Sequence, residues 1–159
     1  YGYGADVVAD KMHTKEEQEF IYAMDNELKN RGYFAHLRGW NEGPGYAYYD
    51  KESIMKSKGP YLYWLLSWKT HLILYLRIRN ASKCLEYIEQ CPDSVKQIFL
   101  HGDSGCENRV NGSCKFGQEY TIDGTSYWRC GCCNAPFYFH PVIEDIPHYI
   151  KLVELGSKK

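Results

Sequence analysis

Five of the seven cysteines lie within 28 residues, between Cys106 and Cys133. Thiolate sulfur is a preferred ligand of zinc, and structural zinc sites usually hold four ligands in a tetrahedron. Cys130 and Cys133 have the two-residue spacing of a zinc knuckle, in which one tight turn directs both sulfurs at the same ion. With Cys106 and Cys114 as the second pair, the sequence predicts a structural zinc site formed by Cys106, Cys114, Cys130 and Cys133.

The same thiols have alternative interpretations. The second pair of a zinc site is usually also separated by two residues, whereas seven residues separate Cys106 from Cys114. The cysteines could therefore remain reduced and unliganded, or pair, for example as a Cys106–Cys114 disulfide. Cys132 is an extra thiol that could compete as a ligand. A redox dithiol at Cys130 and Cys133 is disfavoured because such motifs begin a helix that follows a strand, which is not the context here.

A second candidate site combines aromatic and charged side chains. His71, Tyr75 and Arg77 are predicted on the wetter face of one strand, where imidazole, phenol and guanidinium groups could bind an anionic or aromatic ligand. Trp40, beside a Gly/Pro-rich loop, and Trp64, on the preceding predicted strand, complete this predicted pocket. The alternative is a solvated sheet face with cross-strand pairing, in which Trp40 packs in a turn.

The six histidines form none of the usual catalytic patterns. The sequence contains no His-Glu-x-x-His, no Gly-x-Ser-x-Gly and no phosphate-binding loop. His101 and His140 flank the cysteine segment as spare nitrogen donors, and His148 is expected to be a surface or boundary residue of a terminal helix. We therefore expect a non-enzymatic binding domain, either a ligand sensor or a partner-binding module. The alternative is an enzyme that uses the thiols or metal of the segment from Cys106 to Cys133.

A β-hairpin is predicted to carry the cysteines together. Residues 119–128 contain β-branched and aromatic residues around Asp123-Gly124, and both central residues of a type I′ turn need a positive φ. The returning strand would bring Cys130 back towards Cys114. Because the loop 102–113 is nearly devoid of apolar side chains, we expect the metal to order this region.

The elements around the hairpin predict an α+β fold. Thr14 and Glu17 have the spacing of a capping box before an amphipathic stripe, and Gly32 supplies a stop, so a helix is expected at about 15–31. Strands are expected at 33–40, 46–50, 61–68, 71–79 and 135–140, and helices at 81–91, after Pro92 and after Asp145.

This order of elements predicts a single α+β domain over residues 1–159, with helices packed on one face of an antiparallel sheet and a cysteine-rich hairpin near the C-terminus. The possible zinc-stabilised subregion spans 101–134. Alternate residues of the segment 71–79 are expected to point into the core. The predicted core is Phe20, Met24, Leu28, Leu72, Leu74, Leu76, Ile78, Ile98 and Ile150.

Composition narrows the function classes. The apolar share of 44% and charged share of 25% are ordinary for a soluble globular protein. A net charge of −1 makes nucleic acid an unlikely partner, since that affinity requires many phosphate contacts, so a small molecule or a protein is expected instead. No run approaches the ~18 apolar residues that span a bilayer. The odd number of cysteines argues against a closed disulfide framework and predicts a cytoplasmic protein.

The last 50 or so residues also carry a resemblance. The Cys-x₇-Cys pair, the segments Gln118–Gly124 and Tyr127–Cys130, the Phe137-Tyr-Phe triplet and the segment Glu144–Ile150 resemble small uncharacterised bacterial domains of the Firmicutes type. The resemblance implies a soluble intracellular bacterial protein. It assigns no activity and no functional residue.

Overall fold

The computed structural model describes residues 3–40, 43–52, 61–102, 111–112, 117–129 and 137–157. Helices accompany an antiparallel sheet, so the predicted α+β class is confirmed. The helices are α1 (Tyr3–Ala9), α2 (Lys15–Asn30), α3 (Leu85–Gln90), α4 (Asp93–Phe99) and α5 (Ile146–Gly156), and 3₁₀ turns at Ala81–Cys84 and Ile143–Asp145 precede α3 and α5. The strands are β1 (Phe34–Trp40), β2 (Gly43–Tyr49), β3 (Tyr63–Ser67), β4 (Leu72–Leu76), β5 (Gln118–Ile122), β6 (Thr125–Arg129) and β7 (Phe137–Phe139).

The described residues form a five-stranded sheet in the order β1-β2-β3-β4-β7 and a two-stranded hairpin, β5-β6. The described chain forms two compact units. The first comprises residues 1–75 and 139–147, and the second comprises residues 76–138 and 148–159.

Helix α2 of the first unit has the predicted Thr14 cap at its start and the predicted Gly32 stop at its end. The Glu17 N–H donates to the Thr14 hydroxyl oxygen at 3.2 Å, as an N-cap requires. At the other end, Gly32 has φ +85° and Tyr33 N–H donates to the carbonyl of Leu28. That bond, together with the one from Gly32 N–H to Lys29, is a Schellman motif, which explains why the helix ends there.

The Glu17 carboxylate differs from the expected capping box. One of its oxygens accepts a hydrogen bond from the Thr14 hydroxyl, and the other accepts one from the backbone N–H of Leu72 at 2.5 Å. The carboxylate therefore joins the start of α2 to the first residue of β4.

One face of the sheet packs against α1 and α2. The ring of Tyr46 comes so close to Gly4 in α1 that a Cβ there would lie 2.3 Å from it. Tyr48, on the same side of β2, donates its hydroxyl to Asp25 of α2 at 2.7 Å, and Lys29 forms an ion pair with the same carboxylate at 3.0 Å. Burial, and then the Asp25 carboxylate, raise the pKa of Tyr48, so the phenol stays a hydrogen-bond donor.

Helix α1 was not predicted, because residues 1–13 carry little pattern. The helix is only 7 residues long, and its buried residues Ala5, Val8 and Ala9 are small. Such a short segment is not stable as an isolated helix in water, so its helicity depends on tertiary packing.

The loop predicted between the strands at 33–40 and 46–50 is shorter than expected. Strand β2 begins at Gly43, and Trp40 pairs with Gly43 across the hairpin, although Gly-Pro-Gly is a turn signal on its own. Continuous pairing with β1 outweighs the local preference of these residues. The predicted strand over 71–79 is also shorter, since β4 contains only Leu72–Leu76.

In the second unit, the two strands predicted around the Asp123-Gly124 turn are confirmed, whereas the cysteines that they are expected to bring together lie outside the described residues. Strands β5 and β6 pair in the register expected from an Asp123-Gly124 turn, and these two residues have φ values of 52° and 80°. Tyr120 donates its hydroxyl to the carbonyl of Phe99 at 2.7 Å, and the guanidinium of Arg129 donates to the carbonyl of Ile98. These bonds join the hairpin to the C-terminal end of α4, so side chains fix it in addition to any metal.

The predicted core is confirmed except at one position. Eight of the nine named residues are buried, whereas Ile98 is half-buried and its neighbour Phe99 is fully buried. The sequence also predicts Asp93 or Ser94 as the side-chain cap of α4, which is wrong because Pro92 occupies the N-cap without a side-chain hydrogen bond.

Candidate ligand-binding surface

The sheet face opposite Tyr46 and Tyr48 is formed largely by aromatic residues. Ala47 pairs with Trp64 between β2 and β3, and Gly45 pairs with Leu66, so these alternate positions share one face. We call this the aromatic face. It consists of buried Ala47, Tyr49, Trp64 and Leu66, with partly buried Tyr61, Trp68 and Tyr75 packed against them.

Trp64 is the centre of the aromatic face. Its ring stacks on Tyr75 of the neighbouring strand β4, with centroids 5.1 Å apart and planes 26° apart. On another side Tyr61 lies 5.5 Å away with its plane tilted by 59°. Three aromatic rings therefore form one continuous group, in which Trp64 is 7% exposed and the two tyrosines are half-buried.

A glycine in β2 permits this arrangement. A Cβ placed on Gly45 would lie 2.3 Å from Nε1 of Trp64, which is closer than any van der Waals contact. Only a residue without a side chain lets the indole lie over the strand in this position.

The aromatic face extends onto β1 through His36. Its imidazole contacts Tyr49 edge to face, with ring centroids 5.5 Å apart. His36 is exposed, whereas Tyr49 is buried, so the imidazole lies on the outer side of the pair. This contact adds a hydrogen-bonding group to an otherwise apolar surface.

Two of the five predicted pocket residues, Trp64 and Tyr75, are brought together. Trp40 is the last residue of β1, and its side chain lies outside the described part of the structure. His71 precedes β4, where its ring contacts His140 with a centroid separation of 4.7 Å. Arg77 immediately follows β4, so of the predicted row only Tyr75 lies within the strand itself.

Other members of the aromatic face were not predicted as site residues. Tyr49, Tyr61 and Trp68 had been assigned to strands without a role. The sequence signal for an aromatic face is the density of aromatic residues in 46–75, combined with the alternation of side chains along a strand. Placing them on one face also requires the register between strands, which the turns at 41–45 and 51–60 did not predict.

The predicted zinc ligands Cys106, Cys114, Cys130 and Cys133 lie outside the described residues. Within the part of the chain that the structure describes, no group of three or more histidine, cysteine, aspartate or glutamate side chains could hold a metal ion. The zinc site therefore stays a prediction.

The second unit contains a thiol beside a histidine. Cys91 Sγ lies 3.9 Å from Nδ1 of His148, and the Tyr87 hydroxyl lies 2.7 Å from the same nitrogen. Cys91 also donates to the Tyr87 carbonyl at 3.3 Å. Burial, and then the neighbouring Cys91, raise the pKa of Tyr87, so the phenol stays protonated at neutral pH. His148 is half-buried, as expected for a boundary residue.

Cys84 is the other described thiol, and it is fully buried in the second unit. Its sulfur donates to the Leu152 carbonyl at 3.4 Å. Burial, and then the proximity of Cys91, raise the pKa of Cys84 from 9.0 to about 11. A thiol held protonated in this way is a poor nucleophile at neutral pH.

Comparison with known proteins gives no relative. No protein-family model, no curated protein and no solved structure matches the chain. The class that the fold and site define is therefore an α+β protein with an aromatic sheet face. No helix among the described residues is long and apolar enough to cross a membrane.

Proposed function

We propose that the protein is a non-enzymatic binding domain whose aromatic face stacks a flat ligand, either an aromatic ring or a sugar ring. The observation that supports this proposal is the group formed by Trp64, Tyr75 and Tyr61. Aromatic rings on a sheet bind flat partners through their π faces, and a stacked ring contributes about 1–3 kcal/mol where this has been measured for nucleobases. The rigid sheet beneath the rings keeps the entropic cost of binding low.

The distribution of exposure favours binding over a purely structural role. Trp64 is buried, whereas Tyr61, Trp68 and Tyr75 are half-buried and so retain part of their surface in contact with solvent. His36, exposed beside Tyr49, provides a donor or acceptor at the edge. An apolar platform with a few polar groups at its margin is the usual composition of a small-molecule site.

Tryptophan fluorescence provides the direct test of this proposal. Adenosine serves as the aromatic probe and cellobiose as the sugar probe, each titrated against the full chain. We expect saturable quenching by one probe in the wild type and a loss of at least about tenfold in affinity in Tyr75→Leu, which removes the stacked ring. Tyr22→Leu is the matched control because Tyr22 is an exposed tyrosine of α2, which packs against the opposite face of the sheet. Saturable binding unaffected by Tyr75→Leu would contradict the proposal, as would the absence of binding by both probes.

We further propose that the cysteines Cys106, Cys114, Cys130 and Cys133 bind a structural zinc ion, as their spacing suggests. The alternative is an enzyme that uses this cluster. Metal analysis combined with thiol titration separates the two. Four unreactive thiols with bound zinc favour a structural site, whereas one abnormally reactive thiol favours catalysis. We also propose a cytoplasmic location, which the odd number of cysteines supports. The net charge of −1 disfavours nucleic acid, so the proposed partner is a small molecule or a protein.

A further inference from the structure

Two histidines meet in the first unit at the ends of two segments that are distant in sequence. His71 immediately precedes β4, and His140 immediately follows Phe139. Their rings have centroids 4.7 Å apart and planes at 65°. His71 is half-buried and His140 is exposed, so the pair is accessible from solvent.

The backbone on the His71 side is held in place. The carbonyl of His71 accepts a hydrogen bond from Trp68 N–H at 2.9 Å, and the next residue, Leu72, donates its N–H to the Glu17 carboxylate at 2.5 Å. His140 follows Phe139, which is 2% exposed. The imidazoles are therefore presented by anchored backbone, which reduces the cost of ordering them around a ligand.

The Thr70 hydroxyl pairs with one nitrogen of His71. The hydroxyl oxygen of Thr70 lies 2.9 Å from Nδ1 of His71. When Nδ1 carries the proton and donates to that oxygen, the lone pair of Nε2 is available to a metal ion. A ligating histidine usually has its second nitrogen in such a hydrogen bond, which fixes the tautomer and the ring orientation.

The spacing of the rings suits chelation. A metal ion binds imidazole nitrogen at about 2.0–2.1 Å, so two nitrogens on one ion lie roughly 3 Å apart. Rings with centroids 4.7 Å apart can bring one nitrogen each to that separation through small side-chain rotations.

We propose that His71 and His140 form a two-histidine site for a divalent transition-metal ion of the zinc, nickel or copper type, for which imidazole is a preferred ligand. Its two ligands are neither among the four predicted zinc cysteines nor among the residues of the aromatic face. Two protein ligands leave further coordination positions for water or an exogenous ligand. The site is therefore exchangeable, in contrast to a closed structural site with four protein ligands.

Residue-resolved NMR with Ni²⁺ as the probe tests this proposal in the full chain. Paramagnetic Ni²⁺ broadens the resonances of nearby protons, so each histidine ring reports on its own surroundings. We expect substoichiometric Ni²⁺ to broaden the ring signals of His71 and His140 first, with those of His101 and His36 unchanged. Broadening that originates from nickel at the cysteines would instead appear around residues 117–129.

Variants distinguish chelation from binding to a single histidine. In His140→Gln the Ni²⁺ affinity measured at the His71 ring should fall by at least about tenfold, because one chelating ligand is lost. His101→Gln is the matched control, since His101 is exposed and lies in the second unit. Amide spectra and melting temperatures of both variants test whether the fold is kept. We expect it to be kept, because both histidines are exposed. Equal broadening of all histidines, or an unchanged affinity in His140→Gln, would overturn the proposal.

Discussion

Gly45 determines where the indole of Trp64 can lie. A Cβ at this position would meet Nε1 of Trp64 at 2.3 Å, so Gly45→Ala should displace the ring and disturb its stacking on Tyr75. We expect a loss of about 1–3 kcal/mol in the free energy of unfolding, typical of overpacking. Chemical denaturation measures the loss, and near-UV circular dichroism reports the change in ring environment.

A double-mutant cycle identifies the cause of that loss. In a Trp64→Phe background the smaller ring leaves room for the added methyl group. Gly45→Ala should therefore lower the free energy of unfolding clearly less there than in the wild type. Equal costs in both backgrounds would show that the effect of Gly45→Ala comes from backbone entropy rather than from the clash.

The buried thiol of Cys84 predicts a pH dependence of stability. Its pKa is raised from 9.0 to about 11 in the folded protein, so between these values the unfolded state releases a proton that the folded state retains. The contribution of the Cys84 thiol to the free energy of unfolding is fully present below pH 9 and is lost as the pH rises towards 11. Relative to Cys84→Ala, the wild type should therefore lose stability across this range.

Denaturant unfolding of wild type and Cys84→Ala at several pH values measures this difference. Between pH 6 and 8 the difference should be constant, because both states keep the thiol protonated, and it should change only above pH 9. A difference that is flat from pH 8 to 11 would contradict the raised pKa.

At the scale of elements, the Glu17 carboxylate connects helix α2 to strand β4. In Glu17→Ala the backbone N–H of Leu72 loses its acceptor, and leaving such a group unsatisfied costs about 1–3 kcal/mol. Amide hydrogen exchange at Leu72 should accelerate markedly. Glu19→Ala is the matched control, because Glu19 is exposed and pairs with Lys15 at 3.7 Å. Its removal should change the free energy of unfolding by no more than about 0.5 kcal/mol. Unchanged exchange at Leu72 in Glu17→Ala would show that this hydrogen bond is absent in solution.

The hairpin leads to a prediction about zinc. If the four cysteines bind the ion, Cys130→Ser should remove about one equivalent of zinc, measured by native mass spectrometry, and Cys132→Ser should leave it bound. Strands β5 and β6 should stay protected from hydrogen exchange in both variants, because Tyr120 and Arg129 join them to α4 independently of the thiols. Metal-free wild-type protein would show that the cysteines are not a zinc site.

Sequence patterns predicted the elements whose signals are local. The helix α2 and the Asp123-Gly124 hairpin were predicted because caps, periodicity and turn residues act within a few positions. Helix α1 and the start of β2 were missed because packing on Tyr46 and pairing with β1 outweigh local preference there. The contact of His71 with His140 was unpredictable for a similar reason, since it depends on which strands become neighbours.

At the scale of the whole molecule, the segment 148–157 is required by the second unit. Leu152 and Val153 are fully buried there, and the Gly156 carbonyl accepts hydrogen bonds from Arg79 and Asn80. Removing residues 148–159 should therefore abolish the cooperative unfolding of the second unit and expose the Cys84 thiol. Thiol labelling without denaturant measures this exposure. Continued protection of Cys84 in the shortened chain would contradict the assignment of this segment to the second unit.

The chain passes from the first unit to the second after Tyr75, returns at Phe139 and leaves again after Pro147. During synthesis, the first 75 residues emerge from the ribosome long before the segment 139–147 that completes their unit. Their unit stays incomplete until residues 76–138 have been translated and the segment 139–147 has followed. Since translation proceeds at about 5–20 residues per second, this delay lasts several seconds. Nascent-chain chaperones that shield apolar surface should therefore bind this protein most strongly at intermediate chain lengths.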